Sequence, residues 1–197
     1  INVILNPNFN LSQSNEESYV TSLELNNIVA FHQTLYNQET PLVRLPGLAK
    51  HLGIGKLLIK DESHRLGLNA FKVLGASYAM HKQIEKFPQI KTFCSATDGN
   101  HGRAVAWMAR HLGRQASIYM PKGTDHGIVS AIESEGAEVF VINQNYNAAV
   151  KRAKDQVYSS NKKTDDYSWS LIQDTAWDGY EEVPLDIMRG YCTQVFE

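Results

Sequence analysis

From Pro88 onward the chain repeats one pattern, a short apolar run followed by a stretch with helical spacing. Predicted strands at 92–96, 116–120 and 138–142 alternate with helical spacing over 102–112, 128–135 and 148–157. Parallel neighbours in a sheet need a crossover between them, and a helix supplies it. The predicted fold is therefore α/β, an open parallel sheet with helices on both faces. The polar, aperiodic stretch 159–168 reads as a loop, and 170–173 as a fourth short strand. A last helical segment starts at Pro184 and runs through Ile187 and Tyr191 to Glu197 without a cap, from which we expect a chain cut short.

Ahead of this alternation the texture differs. Up to about Gln38 the sequence is polar and Asn-rich, with one helical patch over 22–35, and reads as a surface arm. Thr40-Pro41-Leu42 reads as a turn, 45–52 as a helix ended by Gly53 and Gly55, and 56–60 as a strand. A further helix is predicted to begin near Ala70 and to pass Met80.

Composition serves mainly to exclude. With 43% hydrophobic and 20% charged residues and a net charge of -2, the chain has a core to bury and no field that would draw nucleic acid or an anionic membrane. No stretch has the apolar length to cross a bilayer, and the start lacks the features of a signal peptide. The absence of a leading methionine suggests that the first residues are missing. Cys94 and Cys192 have no CxxC spacing, which argues against a disulfide framework or zinc and fits a reducing, cytoplasmic setting. His64, His101 and His126 have no metal-ligand spacing and read as hydrogen-bonded loop histidines.

Three runs could carry chemistry, and each follows a predicted strand, where open α/β sheets present their ligands. In Asp61-Glu62-Ser63-His64-Arg65-Leu66-Gly67-Leu68-Asn69-Ala70-Phe71-Lys72, the lysine between Phe71 and Val73 would be partly desolvated, a setting in which an amine attacks an aldehyde. Alternatively, Lys72 is a surface lysine snorkelling from an amphipathic helix. In Ser95-Ala96-Thr97-Asp98-Gly99-Asn100-His101-Gly102, two glycines and a helix start would suit an anion, Asp98 a base and Asn100 a donor to a phenolate oxygen. An ordinary Asp/Asn/Gly turn with an N-cap fits the same residues. Asp174, in Gln173-Asp174-Thr175-Ala176-Trp177, falls on the same sheet edge and is either an acid or base or a capping aspartate. Lys122, in Met120-Pro121-Lys122-Gly123, is a weaker candidate, since Lys-Gly is usually only a turn.

Taken in order, Asn-Ala-Phe-Lys, Thr-Asp-Gly-Asn-His-Gly, Tyr-Met-Pro-Lys-Gly and Gln-Asp-Thr-Ala-Trp resemble the diaminopropionate ammonia-lyase family, within the fold-type II, tryptophan-synthase-β-like group of pyridoxal-phosphate enzymes. The resemblance runs from about Thr40 to Glu197 and departs from the family at Leu66, where phenylalanine is expected, and at Ile128, where arginine is. It implies pyridoxal 5'-phosphate as cofactor, carried by Lys72 as a Schiff base, with Phe71 and Asn100 also contacting it and Asn100 bonded to its phenolate oxygen. It implies conversion of 2,3-diaminopropionate to pyruvate and ammonia, with Lys72 and Asp98 as bases for opposite enantiomers. Asp174 would assist proton transfer or bind the distal ammonium, and Thr97, Asp98, Gly99, His101 and Gly102 would hold the substrate carboxylate. A small amino-acid substrate, a cytoplasmic homodimer, and no nucleic-acid or membrane partner follow from the same likeness. Residues 1–76 would then be the arm and part of the large cofactor domain, and 77–197 a small doubly wound domain. The family also needs a glycine-rich phosphate loop and a residue facing the pyridine nitrogen. Nothing after Tyr191 reads as that loop, so this half-chain is expected to bind the cofactor weakly and turn over little or nothing. A non-catalytic binding protein that pairs with another chain is the alternative, and a doubly wound domain whose loops are only turns is the third.

Overall fold

The computed structural model describes residues 20–164 and 166–196; the predicted arm over residues 1–19 lies outside them. Helix α1 (Ser22–Thr34) starts at a capping box, in which the Thr21 hydroxyl accepts from the Glu24 amide and the Glu24 carboxylate accepts from the Thr21 amide. This segment is no free surface arm. Ile28 and His32 are buried, and His32 Nε2 donates to the Leu74 carbonyl at 2.9 Å.

Strand β1 (Leu42–Arg44), helix α2 (Pro46–Leu52) and strand β2 (Leu58–Lys60) follow, and β1 pairs antiparallel with β2. Proline suits the first turn of α2, and Gly53 ends the helix at φ 68°, a left-handed cap that favours glycine. The turn expected at 40–42 is not found: Thr40 and Pro41 form no turn, and Leu42 is the first residue of β1. All three β1 residues are exposed, so no burial alternation marks them as a strand. A 3-10 turn (Glu62–Gly67) leads to α3 (Lys72–Lys86), which begins two residues after the predicted start.

The rest is β3 (Thr92–Ala96), α4 (Asn100–His111), β4 (Gln115–Met120), α5 (His126–Glu133), β5 (Glu138–Val141), α6 (Tyr146–Thr164), β6 (Trp169–Leu171), α7 (Glu182–Tyr191) and α8 (Thr193–Phe196). Four strands form one parallel sheet in the order β5-β4-β3-β6. Alternate residues serve opposite faces. Phe93, Ile118 and Met120 pack with α3, α4 and α7, whereas Cys94, Ala96, Tyr119 and Leu171 meet Ala149 and Ala153 of α6. The chain winds outward from β3 through β4 to β5, then returns to add β6 on the other side of β3. This reversal opens a crevice at the carboxyl ends of β3 and β6.

Helix α6 runs to Thr164, through the first half of the stretch expected to be a loop. Asn161 explains the extension. Its amide donates to the Trp169 carbonyl and accepts from the Trp169 amide, both at 2.9 Å, so the last turns are held against β6 by contacts remote in sequence. His101 and His126 lie in the first turns of helices α4 and α5, and among the described residues no cluster of His, Cys, Asp or Glu has the arrangement of a metal site.

Helices α3 and α7 cross backbone to backbone at Gly75 and Gly190. A Cβ on Gly190 would stand 2.5 Å from the Leu74 carbonyl oxygen and 2.8 Å from Gly75 Cα. Neither can move without shifting α3. Gly190→Ala gains helix propensity of roughly 1 kcal/mol, but overpacking against a fixed backbone costs about 1–3 kcal/mol or more. Urea unfolding is expected to show net destabilisation; a stabilised variant would mean that the helices separate freely.

Candidate active site

The 3-10 turn and the residues after it bring Lys72 to the first position of α3, with its side chain about 30% exposed. Its Nζ donates to Asp174 Oδ2 at 2.8 Å. The ring centroids of Phe71 and Tyr191 lie 5.8 and 5.6 Å from the same nitrogen, and the two rings meet edge to face. The amine is thus walled by aromatic carbon and answered by one carboxylate.

Asp174 is placed by β6. The Gln173 side chain, fully buried, accepts from the Ala96 amide at 3.0 Å and donates to the Tyr146 hydroxyl at 2.9 Å, while its backbone amide donates to the Tyr180 hydroxyl. The carboxylate therefore emerges from a fixed base at the switch point. Burial works to raise the Asp174 carboxyl, but the charge that His101 gains when protonated, together with the hydrogen bond and charge of Lys72, outweighs it and holds the group below its ordinary value.

Loop 97–102 forms the other lip. Thr97 is buried, and its hydroxyl accepts from the amides of Gly99 and Gly102 at 3.0 and 3.1 Å, closing the start of α4. A Cβ on Gly102 would stand 2.2 Å from Thr97 Cγ2, so this close packing needs glycine. Asp98 and Asn100 are exposed, and their side chains make no hydrogen bond or ion pair among the described residues. His101 points inward at 4% exposure, its Nε2 bonded to the Ile172 carbonyl and its Nδ1 3.9 Å from Asp174 Oδ2. The structure thus brings Lys72, Phe71, Asp174 and His101 together, with Asp98, Gly99 and Asn100 on the facing loop. Lys122, in the turn after β4, has its amide bonded to the Gln144 carbonyl.

Tyr191 and Tyr146 were not singled out in the sequence. Nothing in their local runs marks them, since each reaches the site from a different helix. A cavity of about 580 Å³ lined by Lys154, Tyr158, Trp177 and Tyr180 lies on the α6 side of the Asp174 turn and does not include Lys72.

Burial pushes the His101 ring down from 6.5, so it stays neutral in the fold. Its folded value lies below its unfolded one, and on acidification the unfolded chain takes the proton first. The stability this ring contributes is complete above the unfolded value and is lost as pH falls below it, by up to about 1.4 kcal/mol per pH unit for one proton. Unfolding followed between pH 7 and 5 is expected to show a slope that shrinks in His101→Gln; an unchanged slope would clear His101 of this role.

The chain is thus an open α/β sheet with a lysine and a carboxylate paired at its switch point, where α/β enzymes present their ligands. The family model described as "Pyridoxal-phosphate dependent enzyme" matches residues 33–195, and the chain belongs to that family. Diaminopropionate ammonia-lyase of Escherichia coli K12 is 44% identical over 181 residues, covering 83% of this chain and 44% of that protein. The Salmonella typhimurium enzyme is 43% identical over 192 residues, covering 86% and 46%. A solved structure of the Escherichia coli enzyme in complex with D-serine superposes with a TM-score of 0.84 at 37% identity, over 91% of this chain and 49% of that one. The chain spans under half the length of the curated ammonia-lyases it matches. The fold is that of the fold-type II enzymes.

The site fits the cofactor of this family. Among the described residues, His101 Nδ1 and the Tyr191 hydroxyl are buried without a hydrogen-bond partner, one facing Asp174 and the other on the ring beside Lys72. Buried polar atoms left open beside Lys72 suit a polar ligand held there.

Proposed function

We propose that this chain supplies the cofactor lysine and the acid and base groups of an ammonia-lyase that converts 2,3-diaminopropionate and one water to pyruvate and two ammonia. The ion pair carries this reading. Asp174 holds an alkylammonium at 2.8 Å in a half-buried site, and a 2,3-diamino acid brings a second ammonium of that kind. Pyridoxal phosphate, when bound, supplies an electron sink for the pair left behind when the Cα proton departs.

The chain's own residues do the rest. Lys72 holds the cofactor and, once released, its amine takes the Cα proton of one enantiomer, while Asp98 on the facing loop serves the other. Asp174, freed from Lys72, binds the distal ammonium of the substrate or passes a proton to it as it leaves. Asn100 bonds the phenolate oxygen, and the amides of the Thr97–Gly102 loop orient the substrate carboxylate. Phe71 and Tyr191 flank the amine with aromatic faces.

Pyruvate and ammonia released from 2,3-diaminopropionate by the product of the complete reading frame test this reading. A hydrogen bond to a charged group contributes about 1.5–3 kcal/mol, so Asp174→Asn is expected to lower kcat/KM for the diamino acid by roughly 10–100-fold. Preferred turnover of serine or threonine, unaffected by Asp174→Asn, would refute it. A cytoplasmic homodimer belongs to the same proposal and is checked by light scattering.

A non-catalytic protein paired with another chain has one observation in its favour. Leu42, Leu58 and Ile59 of the two-stranded sheet are 61%, 46% and 46% exposed, which is apolar surface suited to a partner.

A further inference from the structure

Nδ1 of His101 is a buried nitrogen without a hydrogen-bond partner among the described residues, beside the proposed cofactor lysine. Nε2 of the same ring lies 2.9 Å from the Ile172 carbonyl oxygen, which only accepts, so Nε2 carries the hydrogen and Nδ1 of the neutral ring is a bare acceptor. That acceptor faces Oδ2 of Asp174 at 3.9 Å, beyond hydrogen-bond length, and two acceptors facing each other repel. The same Oδ2 receives the Lys72 ammonium at 2.8 Å. One carboxylate oxygen therefore lies between a nitrogen with protons to give and a nitrogen with a lone pair to receive one.

We infer that Asp174 and His101 together take up the proton that Lys72 must lose before its amine can engage the cofactor's aldehyde. The ammonium passes one proton to Asp174 Oδ2, where it is shared with His101 Nδ1. The neutral amine then adds to the aldehyde carbon, and the two hydrogens left on nitrogen depart with the aldehyde oxygen as water. No electrons are exchanged with any other group, and the net charge of the site is unchanged when the proton moves. In this arrangement His101 is a positioning residue, acting on Lys72 through Asp174. The inference rests on the reading of Lys72 as the cofactor lysine.

The groups that act on this pair come from several elements. Lys72 faces it from α3, Tyr191 from α7, Tyr146 from α6, and Tyr180 from the turn after β6. Burial pushes all three phenols up, so they stay neutral, and Lys72 is the charge that changes. With its ammonium gone, burial acts on Asp174 with less opposition and favours the protonated carboxyl, for which Nδ1 is the waiting acceptor.

Two measurements test this on the chain as it stands. Nitrogen NMR of the histidine rings, without cofactor, compares the wild type with Lys72→Ala, in which the ammonium is absent. At neutral pH, His101 Nδ1 is expected to move from the signal of a bare acceptor toward that of a hydrogen-bonded or protonated nitrogen. An unchanged His101 signal overturns the inference, whatever Lys72 does with the cofactor. The second measurement is the rate of Lys72 modification by pyridoxal phosphate, trapped with borohydride and located by mass spectrometry. His101→Gln keeps an N–H donor for the Ile172 carbonyl but has no basic nitrogen. It is expected to slow modification about tenfold at neutral pH, the equivalent of one unit of lost proton affinity, and to recover in alkaline solution. Equal rates in wild type and His101→Gln overturn the inference. Modification of other lysines while Lys72 stays free refutes the reading of Lys72 itself, and the NMR comparison still decides the proton coupling.

Discussion

Lys72→Ala is expected to abolish the pyridoxal-phosphate adduct that borohydride fixes on this chain, and with it any lyase turnover, while leaving the fold intact. The stability side follows from exposure. The Lys72 and Asp174 side chains are 30% and 21% exposed, and a pair so open to solvent contributes at most about 1 kcal/mol. Alanine is also a good residue for the first turn of α3, so the helix start does not suffer. The chemical side has no substitute. No other described lysine shares the position of Lys72, at the head of a helix, between two aromatic rings and against a carboxylate. Loss of its proton transfer alone is worth about 10²–10⁴-fold in rate, before the loss of covalent anchoring is counted. Mass spectrometry of the reduced, digested protein reads the first effect and pyruvate release the second. An adduct formed in equal yield at the same crevice in Lys72→Ala would remove Lys72 from its proposed role.

The parts of this fold that could be read from sequence are those in which one local run settles the matter. Residues 92–96 are buried on both faces, and the run Thr-Phe-Cys-Ser-Ala carries no charged side chain, as a strand covered on both sides requires. The site loops were legible because Thr97–Gly102 and Gln173–Asp174 each follow a strand that ends at the switch point. What stayed hidden depends on partners distant in the chain. The last turns of α6 look like a polar loop until Asn161 meets Trp169. His101 looks like a loop histidine, yet the packing of Gly102 against Thr97 and Ile118 draws the start of α4 inward and buries the ring. Exposed β1 offers no pattern at all, because its order comes from pairing with β2. Arg65 stands out most, since it closes five successive polar residues from Asp61, with no local pattern to mark it, and is fully buried.

Arg65→Met is accordingly expected to be among the most destabilising single changes in the chain, costing about 3–5 kcal/mol, because it removes a fully buried guanidinium and with it the bidentate partner of the mostly buried Glu62 carboxylate. Arg65 Nε and Nη2 grip the two oxygens of Glu62 at 2.8 and 2.9 Å, a bidentate arrangement that lysine cannot copy. Nη1 donates to the Asn37 side chain at 2.8 Å and to the Gln38 carbonyl at 3.0 Å, tying the segment after α1 to the turn before Lys72. Thr40 closes the ring, donating to Glu62 at 2.8 Å and accepting from Arg65 at 3.3 Å. The clamp holds a segment that resists its own shape: Leu66 and Asn69 sit at φ 47° and 59°, the left-handed region costly for residues with a side chain, and leucine is the worse suited of the two. Released from the clamp, the turn can relax those angles, and Phe71 and Lys72 lose their fixed approach to Asp174. Urea unfolding of Arg65→Met, Glu62→Leu and the double variant separates the contributions. The double variant, which buries no unpaired charge, is expected to recover much of the loss, since a buried ion pair replaced on both sides by apolar groups is often near neutral. Adduct formation at Lys72 is expected to stay impaired in that double variant, because the fork that positions the turn is absent even where stability returns. A single variant within about 1 kcal/mol of wild type would show that the pair holds nothing in place.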